Sequence, residues 1–226
     1  GDWHPLELID RVTVAYRTVL SAFAEAGAEW IQFDEPALTS DNLDVPRAEL
    51  ISAAKAVWSE LSRSSERPQI LVALPYGDGS AAAKALADTD VEAIHLDLRR
   101  SPAPDAELTT ALATKTLVAG VVEGRNIWRA DLRKAAQTLE ALQEAGVTSL
   151  SAATATSLQH VPITTSAEQW DDPALDGALH SWLSFADQKV EEVVALGRGL
   201  TEGWGSIDAS LVASDQVIAS RAAYEG

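Results

Sequence analysis

Short apolar runs, most of them rich in β-branched residues, alternate along this chain with segments of helical periodicity. That alternation limits the fold more than any other feature of the sequence. Strands are expected in AEWIQFDEP (28–36), QILVALPY (69–76), VEAIHLDL (91–98), KTLVAGVV (115–122) and VTSLSAATA (147–155). Helices are expected over 5–26, 46–63, 80–88, 105–113, 131–146 and 174–198, with a polar helical tail after them. In 5–26 the apolar residues Leu6, Ile9, Val12, Tyr16, Val19 and Phe23 recur at steps of three and four, one stripe of a helix. Pro5 suits its first turn and Gly27 its C-terminal cap.

Strands that are nearly all apolar, each separated from the next by a helix, are parallel strands covered by helices. The expected fold class is therefore α/β, a (β/α)8 TIM-type barrel. It is incomplete in this chain, because about five strand–helix repeats are visible and a whole barrel has eight in roughly 250 residues. An open five-stranded doubly wound sheet is the alternative. The sequence contains no methionine, not even at position 1, so the chain is expected to be a trimmed or processed part of a longer polypeptide. Residues 1–200 are assigned to the partial barrel and 201–226 to a helical tail or interdomain linker.

Each strand ends in a polar cluster: DEP at 34–36, PYGDG at 75–79, LDLRR at 96–100, EGRN at 123–126 and ATSLQH at 155–160. In parallel α/β folds those C-terminal strand ends carry the chemistry. Asp34 and Glu35 are adjacent carboxyls that could divide acid and base roles if their environments differ, and Asp97 could join the same rim. The alternative is that one caps a loop and another pairs with an arginine. Arg125 and Asn126 lie in the densest cluster, with Trp128 and Arg129 just beyond. A guanidinium fork there could hold a carboxylate or could brace the barrel mouth. His160 follows the last strand and is the histidine best placed for a polar role. Asp131 is placed to favour the N-terminus of the next helix. There is no GxGxxG, P-loop or GxSxG, and GDG at 77–79 is too short to cradle a phosphate chain.

Composition removes several classes of function. The net charge of −17 would repel a nucleic-acid backbone. No apolar run is long enough to span a membrane, and residues 1–10 lack the pattern of a secretory signal, so no membrane partner is expected. There are no cysteines, which excludes disulfides and thiolate-bound metal and favours a cytoplasmic location. The four histidines show no HxH or HxxxH spacing, and no metal site is expected within the chain.

Taken together, IQFDEPAL (31–38), HLDL (95–98), GVVEGRNIWRADL (120–132), SLQHVP (157–162) and LHSWLSFADQKVEEVVAL (179–196) resemble the N-terminal barrel of cobalamin-independent methionine synthase. The resemblance covers nearly the whole chain, and GRNIWRADL is its most specific part. It implies a two-barrel enzyme that moves a methyl group from 5-methyltetrahydrofolate polyglutamate to homocysteine to make methionine, without cobalamin. In that family zinc is bound by the C-terminal barrel through cysteines, a histidine and a glutamate, so this chain is expected not to hold it. The early basic segment that helps bind the folate tail is missing here, and AATAT at 152–156 is smaller and less polar than the family's usual residues. No catalytic or metal residue carries over. Asp34, Glu35, Asp97, Arg125, Asn126 and His160 remain as candidate substrate-binding residues. The implied partners are the rest of the N-terminal barrel and the zinc-bearing barrel. Alone, the chain is expected to be inactive as a methyltransferase. The alternatives are a stand-alone non-catalytic binding module, or a different barrel enzyme using Asp34, Glu35 and Asp97.

Overall fold

The computed structural model of the chain describes residues 4–224. The elements alternate as the apolar pattern requires. A 3₁₀ turn, Pro5–Leu8, leads into α1 (Ile9–Glu25), then β1 (Trp30–Asp34), α2 (Arg47–Ser62), β2 (Gln69–Leu74), α3 (Ser80–Ala87), β3 (Ala93–Asp97) and α4 (Ala106–Ala111). The second half holds β4 (Thr116–Val122), α5 (Leu132–Glu144), β5 (Leu150–Thr154), α6 (Pro173–Trp182), α7 (Ala186–Glu202) and α8 (Asp208–Ala222). Strand order in the sheet follows chain order. β1, β2 and β3 are parallel, with Ile31 opposite Ile70 and Leu71 opposite Ala93.

The chain divides into two compact units. One comprises the residues up to Leu96 with Arg100–Leu117, the other Asp97–Arg99 with the residues from Val118 on. In the first unit β2 and β3 supply the core: Ile70, Val72, Leu74, Ile94 and Leu96 are fully buried together with Leu20, Leu61 and Leu86. The base of these strands is tied by Arg67, whose Nη1 and Nη2 donate to the two Glu92 oxygens at 3.0 and 2.9 Å. Glu92 also accepts from the Ile70 amide at 2.7 Å. Burial alone would raise the Glu92 carboxyl, but the Arg67 bonds, the Ile70 amide and the Arg67 charge together hold it below its ordinary value.

In the second unit α5 packs Leu132, Ala135, Ala136, Leu139 and Leu142 inward, the face its period predicts. Val147, expected to open the last strand, instead belongs to the cap of α5. Gly146 turns the chain at φ +100°, and the Val147 amide returns to the Leu142 carbonyl at 3.0 Å. α8 lies within this unit: Ser220 accepts from the Trp182 indole at 2.9 Å, and Asp215 pairs with Arg133 at 2.7 Å.

Two expectations need correction. The single helix expected over 174–198 is two helices, α6 and α7, separated at Leu183–Phe185, where Phe185 is extended. The helical hydrogen bonds are given up there because the Ser184 amide donates to Ile127 and the Trp182 carbonyl accepts from Arg129, both at 2.8 Å. The stripe on α1 forms a helix as its period predicts, yet the helix buries Thr13 and Leu20 while Val12, Tyr16, Val19 and Phe23 stay exposed.

Arg67 is only 10% exposed and Glu92 30%, so breaking their fork strands a half-buried carboxylate. Arg67→Ala should cost about 2–3 kcal/mol, read from the urea midpoint at neutral pH. Because the Glu92 carboxyl is depressed, its contribution is complete above the unfolded value of about 4.3 and is lost as pH falls through the folded value. The gap between parent and variant should therefore close under acid conditions.

Candidate functional site

The ends of the strands place the candidate residues. In the first unit β1 runs into Asp34, Glu35 and a 3₁₀ turn at Pro36–Leu38. The Glu35 amide keeps the ladder going by donating to Ala73 at 2.9 Å. Its carboxylate accepts from the Trp58 indole at 3.1 Å, and burial pushes it up against the lowering effect of that bond. Asp34 is exposed and accepts from the Gln32 side chain at 2.7 Å. The two carboxyls thus sit in different environments, one half-buried and one exposed. Beside Glu35 lies a cavity of about 240 Å³ walled by Val12, Tyr16, Phe33, Trp58 and Leu61. Its aromatic rings follow one another at tilted angles, Tyr16 to Phe33 at 5.7 Å and Phe33 to Trp58 at 5.1 Å between centroids.

The glycines of GDG, in the turn after β2, sit in close packing. A Cβ on Gly77 would stand 2.4 Å from the Thr39 carbonyl oxygen, so only glycine fits. Tyr76 before it is held at φ +75°, a left-handed conformation costing a non-glycine residue about 1 kcal/mol or more.

In the second unit Asp97, Arg125, Asn126 and His160 lie at or just beyond the ends of three neighbouring strands. The Leu98 amide donates to Gly120 at 3.1 Å and the Ala155 amide to Val122 at 2.7 Å. Asp97 is fully buried and accepts from the Arg99 amide at 3.0 Å. After β4, Glu123 accepts from the Arg125 amide at 3.1 Å and Asn126 from the Trp128 amide at 3.0 Å, two side-chain turns that set the loop. The side chains of Arg125 and Asn126 are exposed. Gly124 lies against Thr156, where a Cβ would come within 2.5 Å of its carbonyl oxygen. Ser157 caps the 3₁₀ turn that carries His160, accepting from the Gln159 amide at 3.3 Å. The six candidates thus fall on two units, Asp34 and Glu35 on one and the other four on the second.

Sequence reasoning missed the support beneath this loop. Lys189 on α7 is completely buried and donates to the Trp128 carbonyl at 3.0 Å. Glu192, one turn on, accepts from the Ala130 amide at 3.1 Å. Burial pushes the lysine down and the glutamate up, and their attraction opposes both shifts. The only trace in the sequence is the i, i+3 spacing of the two charges within QKVEE, which surface helices also show. Arg221 on α8 covers the Trp128 ring at 5.1 Å, and Asp131 caps α5 by accepting from the Lys134 amide at 2.9 Å, as its position predicts.

Among the described residues no group of three or more His, Asp or Glu side chains could hold a metal ion, and no helix is long and apolar enough to cross a membrane. With no cysteine present, the chain cannot supply the cysteine ligands that the family resemblance implies for zinc.

A parallel sheet with helices between its strands and polar groups gathered at the strand ends defines an α/β protein of the barrel kind, here an incomplete one. The family model described as the cobalamin-independent synthase, N-terminal domain, matches residues 1–146, and the chain belongs to that family. It is 43% identical over 222 residues to the 5-methyltetrahydropteroyltriglutamate–homocysteine methyltransferase of Mycobacterium tuberculosis H37Rv, a match that takes in 98% of this chain and 28% of that protein. The enzyme of the same name from Rhodococcus jostii is 43% identical over 205 residues, 90% of this chain and 26% of that one. The chain therefore spans little more than a quarter of the curated relatives it matches. Among solved structures, a Listeria monocytogenes protein assigned as a vitamin-B12 independent methionine synthase superposes with a TM-score of 0.54 at 16% identity, covering 67% of this chain and 49% of that one. That likeness bears on the fold alone.

Two substitutions test the support of the strand-end loop. Lys189→Met removes the donor to Trp128 and a positive charge that attracts Glu192, and should cost about 2–4 kcal/mol in urea unfolding. Gly124→Ala forces a methyl into the Thr156 backbone and should cost about 1–3 kcal/mol.

Proposed function

We propose that this chain is the later part of the N-terminal barrel of a cobalamin-independent methionine synthase. The whole enzyme moves a methyl group from a 5-methyltetrahydrofolate polyglutamate to homocysteine. The observation that carries this reading is the 43% identity sustained over 98% of the chain to proteins bearing that enzyme's name. In this reading the region is scaffold and support for folate or for the partner barrel. Zinc belongs to another part of the polypeptide, and every step through it lies outside this chain. The enzyme works in the cytoplasm, and residues 201–226, whose α8 packs on the second unit, are a helical tail or interdomain linker.

Within that role the exposed strand-end groups are the candidate contacts. Arg125 offers a guanidinium to a glutamyl carboxylate of the folate tail, and Asn126 holds the loop that presents it. Asp34 and Glu35 on the first unit, and His160 with the fully buried Asp97 on the second, are the further candidates, with Glu35 suited to donate a hydrogen bond because burial favours its neutral form.

The 226-residue chain should form no methionine from 5-methyltetrahydrofolate polyglutamate and homocysteine, with or without added zinc. The full-length product of its gene should do so. Zinc-dependent turnover by the isolated chain would overturn the supporting role. In the full-length protein Arg125→Ala should raise KM for the polyglutamate substrate roughly five- to tenfold with little change in kcat, the loss of one charge-assisted contact.

A further inference from the structure

We propose that the cavity between the start of α5, α7 and α8 is a binding site for a free α-amino acid with an aliphatic side chain, such as leucine. The inference is independent of the role proposed above, because every residue that builds the site belongs to the second unit.

The cavity measures about 210 Å³, and two kinds of group wall it. Leu132, Ala213 and Val217 supply aliphatic surface, while Arg129, Glu191 and Glu192 supply charge. Two of the charged groups are incompletely bonded. Glu192 is only 6% exposed, and its Oε1 accepts from the Ala130 amide at 3.1 Å. Its Oε2 is sealed from solvent without a hydrogen-bond partner, and Arg129 Nε is in the same condition. The Ser184 hydroxyl lies near enough to draw the Glu192 carboxyl down, but neither it nor Oε2 completes a hydrogen bond of ordinary geometry. Burial raises that carboxyl, and the Arg129 charge is among the groups that pull it back, so the two residues sense each other. Lys189, the other cation here, is engaged by the Trp128 carbonyl.

Buried polar groups without partners are costly and rare, so the open ones define what would complete them. Arg129 lacks an acceptor and Glu192 lacks a donor. A guanidinium holds a carboxylate, and a carboxylate holds an ammonium. An α-amino acid carries both groups on one carbon, and its aliphatic side chain covers the apolar wall. The charge balance selects the same class. Arg129 and Lys189 offset Glu191 and Glu192, which favours a ligand of no net charge, whereas a phosphate or dicarboxylate would be repelled by the two glutamates. A single bridging water, about 30 Å³, would fill little of the space. Bound there, the amino acid links α7 to the residues that follow β4 and stabilises the second unit.

Isothermal titration with L-leucine tests the site on the 226-residue chain and on the full-length gene product. Both should show saturable binding at millimolar concentration or below. Leucinamide lacks the carboxylate and 4-methylpentanoate lacks the ammonium, and each should bind at least about tenfold more weakly, the loss of one charge-assisted contact. Arg129→Gln should bring leucine down to the level of leucinamide. Ala213 is exposed on α8 at the cavity wall, so Ala213→Trp should block leucine binding while leaving the melting temperature within a degree or two. No saturable leucine binding in either protein would overturn the proposal and leave the cavity to water. Equal affinity for leucine and either analogue would overturn it as well, as would leucine binding that survives Ala213→Trp unchanged.

Discussion

The Arg129 amide donates to the Trp182 carbonyl and the Ser184 amide to the Ile127 carbonyl, and the organisation of the second unit follows from that pair of bonds. They form a short antiparallel bridge between the loop after β4 and the joint between α6 and α7. The helix must break for the bridge to exist, and the break lets Trp182, Leu183 and Phe185 turn inward together. Once α7 restarts at Ala186, its first turns carry Lys189 and Glu192 beneath the loop, where they bond the Trp128 carbonyl and the Ala130 amide. α8 closes the arrangement, with Ser214 donating to the Ala130 carbonyl and accepting from the Leu132 amide. Backbone groups of Ile127, Trp128, Arg129, Ala130 and Leu132 thus find partners far away in sequence.

Such a loop is rigid for a reason that apolar packing could not provide. Polar backbone at a strand end must be satisfied if it is buried, and water cannot reach all of it. Side-chain donors and acceptors from α7 and α8 replace the water. The result costs desolvation of a lysine and a glutamate, offset by mutual attraction and by bonds to charged groups that are stronger than neutral ones. What it yields is a fixed platform from which Arg125 and Asn126 project outward.

The order of elements was readable because both periods are local: apolar β runs and three–four helical steps need no knowledge of what packs where. Asp131 was legible as an acid at the start of α5 for the same reason. The broken helix was not, since LHSWLSFADQKV has unbroken helical character and the bridge that splits it comes from residues more than fifty positions earlier. Lys189 and Glu192 look like any charged pair on a helix surface, and burial is a tertiary fact. At the candidate site, adjacency in sequence made Asp34 and Glu35 look like a pair, while the structure gives them different partners. The stripe on α1 was legible as a pattern, but its lack of a cover was not.

That uncovered face has a colloidal consequence. The charge of −17 makes copies of this chain repel one another over the distance at which apolar faces would otherwise meet. Acidification toward the pI of about 4.5 removes the repulsion while leaving Val12, Tyr16, Val19 and Phe23 in water. Salt shortens its range in the same way. The acidity of the chain thereby opposes contact between the exposed α1 faces of separate copies.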